Sequence, residues 1–159
     1  MYKKGMVIFC VVLMLMGCKA ANQAEESVSL ESSIAISKDD FLEEMKEMFE
    51  QSDNTFSYED ANKSILEGER VNITLNDSEN MQVYIYESSD KAIEDAKRIS
   101  LDGFSYTKSE GDEGMTTTID WIDNPHFYKI QNIMILYLGN DETILDILSD
   151  SFGEQIAGS

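Results

Sequence analysis

The sequence predicts an α+β fold: a single antiparallel sheet with packing helices, in the order α-ββ-α-ββββ-α, formed by one domain over residues 37–159. Two observations predict it. Runs of strand length with alternating apolar residues, such as Val71-Asn72-Ile73-Thr74-Leu75, are joined by short turn segments, which force neighbouring strands to run antiparallel. Around them, segments with apolar residues at helical spacing follow a residue able to cap a helix.

The elements follow in order. Phe41, Met45, Met48 and Phe49 recur at helical spacing and predict a helix over Lys38 to Gln51, with Ser37 and Asp40 approximating a capping box. Asp53 to Glu69 admits two readings: Phe56 and Tyr58 alternate as in a strand, whereas Ala61, Ile65 and Leu66 suit a helical turn ending near Gly68. Val71 to Leu75 and Met81 to Glu87 form a hairpin about the turn Asn76-Asp77-Ser78-Glu79-Asn80. Its second strand turns Met81, Val83 and Ile85 one way and Gln82, Tyr84 and Tyr86 the other. Ser88 or Ser89 caps a helix reaching Ser100, with Ala92, Ile93, Ala96 and Ile99 on its inner stripe and Gly103 beyond its end. Phe104 to Lys108 and Met115 to Ile122 make a second hairpin across the acidic tip Glu110-Gly111-Asp112-Glu113-Gly114. Pro125, the only proline, turns the chain into His126 to Lys129. Ile133 to Leu138 is apolar on both faces and belongs at the centre of the sheet. Asn140 or Asp141 caps a last helix carrying Ile144, Leu145, Leu148 and Phe152, with Asp141 and Glu142 at the positive end of its dipole. The tail from Gly153 is expected to be loose.

Ahead of this domain stands an address. Lys3 and Lys4 precede the uncharged run Gly5 to Met16, and Gly17 precedes Cys18: a basic region, an apolar region and a small residue, which is the order of a secretion signal over residues 1–17. The apolar run of 12 residues is shorter than the about 20 that cross a bilayer as a helix. Leu15-Met16-Gly17-Cys18 resembles the lipobox of bacterial lipoproteins, with Met16 the less usual occupant. That resemblance implies that Cys18 receives a diacylglyceryl group, with acyl chains of the palmitate kind, and becomes the new N-terminus. Two chains give a stable anchor where one gives a reversible contact. Residues 18–36 then read as a lipidated N-terminus and solvated tether, reaching at most about 60 Å when fully extended. Val28, Leu30, Ile34 and Ile36 alternate, which leaves a strand there as the other reading.

Cys10 leaves with the signal and Cys18 is consumed by lipid, so the folded part has no thiol and neither a disulfide framework nor a cysteine metal site. Loss of Lys3 and Lys4 lowers the basic side chains from 12 to 10 against 31 acidic ones, and the net charge moves from −19 to −21. Nucleic acid is excluded as a partner, because binding it needs a basic face that displaces counterions. The acidic balance serves solubility first, and attraction to a cationic partner second.

No cluster reads as catalytic, and no cofactor motif is present. His126, the single histidine, sits between Pro125 and Phe127-Tyr128, and a packing histidine explains it as well as a general base does. Glu110, Asp112 and Glu113 could gather around a divalent cation but lack the spacing of a calcium loop, and Asp77 with Glu79 is a weaker pair still. Carboxylate pairs are too numerous in an acidic chain to point anywhere. Gly111 and Gly114 lie among carboxylates that would repel phosphate. Tyr84, Tyr86, Trp121 and Tyr128 could present an aromatic surface to a peptide or glycan, against the alternative that they form sheet core beneath helices.

Val83-Tyr84-Ile85-Tyr86, Ile99 to Gly103, Pro125-His126-Phe127-Tyr128 and Leu136-Tyr137-Leu138-Gly139 together resemble small uncharacterised lipoproteins of Gram-positive bacteria. The resemblance implies an envelope location and carries no functional residues. The reading is a membrane-anchored extracytoplasmic lipoprotein whose domain is a non-enzymatic binding or accessory module, held to the membrane by its lipid and engaging an envelope protein or glycan. A small envelope hydrolase using His126 or a carboxylate pair is the second reading, and a divalent-cation-binding module the third.

Overall fold

Ser37 opens the first helix, its hydroxyl accepting the Asp40 amide at 3.2 Å, so that α1 (Lys38–Glu50) starts with a satisfied end. Its stripe Phe41, Leu42, Met45 and Phe49 is buried. The computed structural model describes residues 35–62, 64–110 and 113–158, with the side chains of residues 109, 110 and 113 outside the description. Cys18, the signal segment and the tether up to residue 34 lie outside the described residues. The tether's last residue, Ile36, already belongs to the domain: its N–H donates to Asn132 Oδ1 at 2.8 Å and its carbonyl accepts from Asn132 Nδ2 at 3.1 Å.

The ambiguous segment resolves as a strand, β1 (Phe56–Ala61), paired antiparallel with β2 (Glu69–Leu75). Packing decides it. Phe56 lies opposite Leu75 and stacks on Phe49 at 6.4 Å, whereas the helical alternative would have buried Ile65, which is 42% exposed. β2 turns into β3 (Glu79–Ile85) through Asn76 and Asp77, both at positive φ, where short polar side chains are tolerated.

After α2 (Ser89–Ala96), β4 (Ser105–Glu110) and β5 (Glu113–Thr118), the chain returns as β6 (Pro125–Ile130), β7 (Ile133–Leu138), α3 (Glu142–Phe152) and β8 (Ala157–Gly158). The six-stranded antiparallel sheet has the order β1-β2-β3-β7-β6-β8, and β7 is interior and wholly buried, as its apolar sequence predicts. Both faces of its middle are covered. On one, α1 and α3 pack over Ile73, Val83, Ile135 and Tyr137. On the other, Tyr84, Tyr86, Phe127, Met134 and Leu136 pack with Ala92, Ile99, Tyr106 and Ile119. Each large side chain so buried contributes about 1.5–3 kcal/mol relative to exposure.

The α+β class and the antiparallel pairing match the expectation. Three details differ from it. β4 and β5 form their own two-stranded ladder, because Ile99 and Arg98 pair with Tyr106 and Thr107 and hold the hairpin against the second face. That pairing also ends α2 at Ala96 instead of near Ser100. The tail is not loose: Ile156 N–H donates to the Phe127 carbonyl at 2.7 Å, and Ala157 and Gly158 pair with Phe127 and His126. The outer edge of β6 needs hydrogen-bond partners, and the tail supplies them. Gly158, at φ +104, lies where a Cβ would overlap the Pro125 carbonyl.

Candidate functional site

The aromatic residues do not form a common surface. Tyr84, Tyr86 and Tyr128 are 1%, 6% and 3% exposed, and they divide between the two cores: Tyr128 lies beneath α3, Tyr84 and Tyr86 on the opposite face. An aromatic platform for a peptide or glycan is therefore absent at these residues. Trp121 is half-buried, edge-on to Phe127 at 6.3 Å, with its indole N–H donating to the Gly103 carbonyl at 2.8 Å.

His126 is 5% exposed and stacks on Tyr137 with ring centroids 6.1 Å apart. Its Nδ1 meets the amide oxygen Oε1 of Gln155 at 3.0 Å, with no carboxylate among its hydrogen-bond partners in the described residues, and its buried Nε2 has no hydrogen-bond partner among them. A nitrogen closed to solvent cannot take a proton from a substrate nucleophile in this geometry. The ring nonetheless lines a shallow groove of 770 Å³ between β6 and α3. Glu142, Leu145, Asp146 and Ser149, spaced along one stripe of α3, form its wall, and Glu154 and Gln155 close its end.

Of the candidate cation ligands, Glu110 and Glu113 pair in register at the end of the β4–β5 ladder. Asp112 and the side chains of Glu110 and Glu113 are outside the described residues. Among the described residues no three of His, Cys, Asp and Glu gather to hold a metal ion.

One buried carboxylate went unread in the sequence. Asp95, 1% exposed, accepts the Glu67 amide at 2.8 Å, the Tyr86 hydroxyl at 2.7 Å and the Tyr106 hydroxyl at 2.5 Å, with Arg98 Nη1 3.5 Å away. Arg98 also pairs with Glu67 and donates to the Tyr106 hydroxyl at 3.2 Å. Burial, then the bond to Asp95, pushes the Tyr106 hydroxyl up to about 12 and the Tyr86 hydroxyl higher. Bonds to Tyr106 and Glu67 raise the Arg98 guanidinium, so it stays charged. These bonds occupy the carboxylate, and its role is to clasp α2 to the sheet and to β4. The one signal was its place three residues after Ala92 on the inner stripe of α2.

A different feature faces outward. Leu101 and Ile122 are 86% and 78% exposed, and Phe104 is 36% exposed. Their loops are joined around Gly103 by the Trp121 bond and by Ile119 N–H donating to the Phe104 carbonyl at 2.8 Å. Exposed Asp102, Asp120 and Asp123 intersperse these residues. The Ser100 hydroxyl and the Phe104 amide hold the Asp102 carboxyl below the usual range, so it remains ionised. Among the described residues no helix is long and apolar enough to cross a membrane.

No family model, curated protein or solved structure matches the chain.

Proposed function

We propose that the chain is the precursor of an extracytoplasmic lipoprotein, anchored through acyl chains on Cys18, whose domain is a non-enzymatic module that docks an envelope protein through Leu101, Phe104 and Ile122. The observation that carries the docking reading is the gathering of three exposed large apolar side chains on loops braced by Trp121. Scattered exposed leucines are ordinary, whereas apolar side chains grouped on adjoining loops and rimmed by charge are typical of interaction sites. The rim selects the partner. Asp102, Asp120 and Asp123 would be repelled by anionic lipid headgroups, and they complement a protein surface with an apolar centre and a lysine or arginine border. The anchor reading rests on Lys3 and Lys4, the apolar run and Leu15-Met16-Gly17-Cys18.

Photo-crosslinking residues placed at positions 101 and 122 in cells test the docking. The same envelope protein should be captured from both positions and not from Glu43 on α1, with Leu101→Asp abolishing capture from position 122. Capture of lipid from both positions, or a pattern indifferent to Leu101→Asp, would overturn it. The anchor is tested separately: the purified protein should carry fatty acid on Cys18, and Cys18→Ser should release it from the membrane. Unchanged retention of that variant would refute the anchor alone.

A further inference from the structure

We infer that the outer edge of β1 takes up one more strand: an extended segment of another polypeptide, in which apolar residues alternate with lysine or arginine. This edge lies across the sheet from the loops of Leu101, Phe104 and Ile122, where Gly103 abuts Pro125 and Gly158, so the inference does not depend on that docking surface.

Three observations carry it. The first is the backbone. Asn76 N–H donates to the Thr55 carbonyl at 3.3 Å, and bonded pairs recur at every second residue of an antiparallel ladder, so Ser57, Glu59 and Ala61 turn their groups to β2. The N–H and C=O of Phe56, Tyr58 and Asp60 then point away from the sheet, of which β1 is the outermost strand. The tail closes the opposite edge at β6, but no described strand pairs with this one. The second is the absence of a guard. Edge strands are commonly blunted by a proline, a lysine or a bulge, and Phe56–Ala61 has none of these, its register with β2 running unbroken. Between its ends the strand is exposed, and the Tyr58 ring, 54% exposed, leans on Phe56 at 6.2 Å to leave an apolar stripe on the α1 side. The third is charge. Glu59 projects from the other face and joins no ion pair among the described residues, whereas Asp60 already holds Lys38 at 2.5 Å. A second copy of this chain would bring Glu59 and Asp60 against the same acids across one ladder, and like charges so placed repel. A strand with apolar residues toward Tyr58 and a lysine or arginine toward Glu59 meets the backbone, the ring and the carboxylate together.

The probe is a peptide of alternating lysine and valine, as long as β1 and blocked at both ends. A second peptide of the same sequence is methylated at its valine nitrogens, which would face β1 opposite Tyr58; it keeps the charge and the side chains but loses those donors. The full chain, labelled with ¹⁵N and held in zwitterionic micelles, is titrated with each at constant ionic strength. The expected result is saturable binding that slows exchange of the Phe56, Tyr58 and Asp60 amides, with the methylated peptide bound roughly tenfold more weakly. Tyr58→Pro removes an N–H that faces away from β2, so the chain should keep its fold, read by Trp121 fluorescence, and bind the unmethylated peptide no better than the methylated one. Equal affinity for the two peptides, or resonance shifts spread over the acidic surface without slowed exchange along β1, would reduce the effect to charge and overturn the proposal. Undiminished binding by a folded Tyr58→Pro chain overturns it too. Protection of the three amides that rises with protein concentration before any peptide is added would assign the edge to a second copy, and that also overturns it.

Discussion

Replacing Asp95 by alanine strikes the most heavily bonded buried side chain described here. The change strands the Tyr86 and Tyr106 hydroxyls and the Glu67 amide, which now donate at 2.7, 2.5 and 2.8 Å. Each buried donor left unpaired costs about 1–3 kcal/mol, and a water entering the vacated volume keeps each near the lower end. The sum is about 3–5 kcal/mol, a large fraction of the roughly 5–15 kcal/mol that holds a domain of this size folded. With a urea slope of about 2 kcal/mol/M, the midpoint falls by about 2 M. Fluorescence of Trp121, the only tryptophan, reports the transition from the same face of the sheet. Adding Tyr86→Phe and Tyr106→Phe to Asp95→Ala removes two of the stranded donors and should restore about 2 kcal/mol, because apolar replacement of both partners is nearly neutral. A loss under about 1 kcal/mol for the single change, or a triple variant less stable than the single one, would refute the clasp.

Two further outcomes follow from buried polar groups. Burial pushes the Tyr84 and Tyr106 hydroxyls from the ordinary 10.0 up to about 12, so the folded chain holds these protons more tightly than the unfolded one. The stability they confer is complete below pH 10 and is lost as pH rises from about 10 through about 12, which urea midpoints across that range should trace. Phenolate absorbance of all the tyrosines at pH 11 with the fold intact would contradict it. Asn132, 1% exposed, donates to the Ile36 and Tyr86 carbonyls at 3.1 and 2.9 Å and accepts the Ile36 amide at 2.8 Å. Asn132→Ala should cost about 2–4 kcal/mol and free the Ile36 amide to exchange while the β7 amides stay protected. Retained protection at Ile36 would show that the amide does not fasten the start of the domain.

Much of this fold was legible from short-range pattern. The cap at Ser37, the alternation through β2 and β3, the two-sided apolar run of β7 and the Asp141 cap of α3 each depend on neighbours a few residues apart, and each element stands where those signals put it. β1 needed more: its two readings were equal locally, and only the Phe49 ring across from Phe56 separated them. The candidate site was less legible. Tyr84 and Tyr86 admitted two readings, an aromatic surface or sheet core beneath helices, and alternation cannot tell them apart; α2 and the β4–β5 hairpin cover that face and make it core.

By itself, then, the sequence determined the α+β class, the antiparallel pairing, the caps and the strongly acidic, thiol-free character of the folded part, since all of these follow from residue type and local spacing. Tertiary structure alone decided that the tail closes the β6 edge, that Asp95 is a buried clasp, and that His126 meets Gln155 instead of a carboxylate. Those outcomes join residues far apart in the chain, and such meetings depend on strand order and on which face each connection crosses, quantities that a local pattern does not contain.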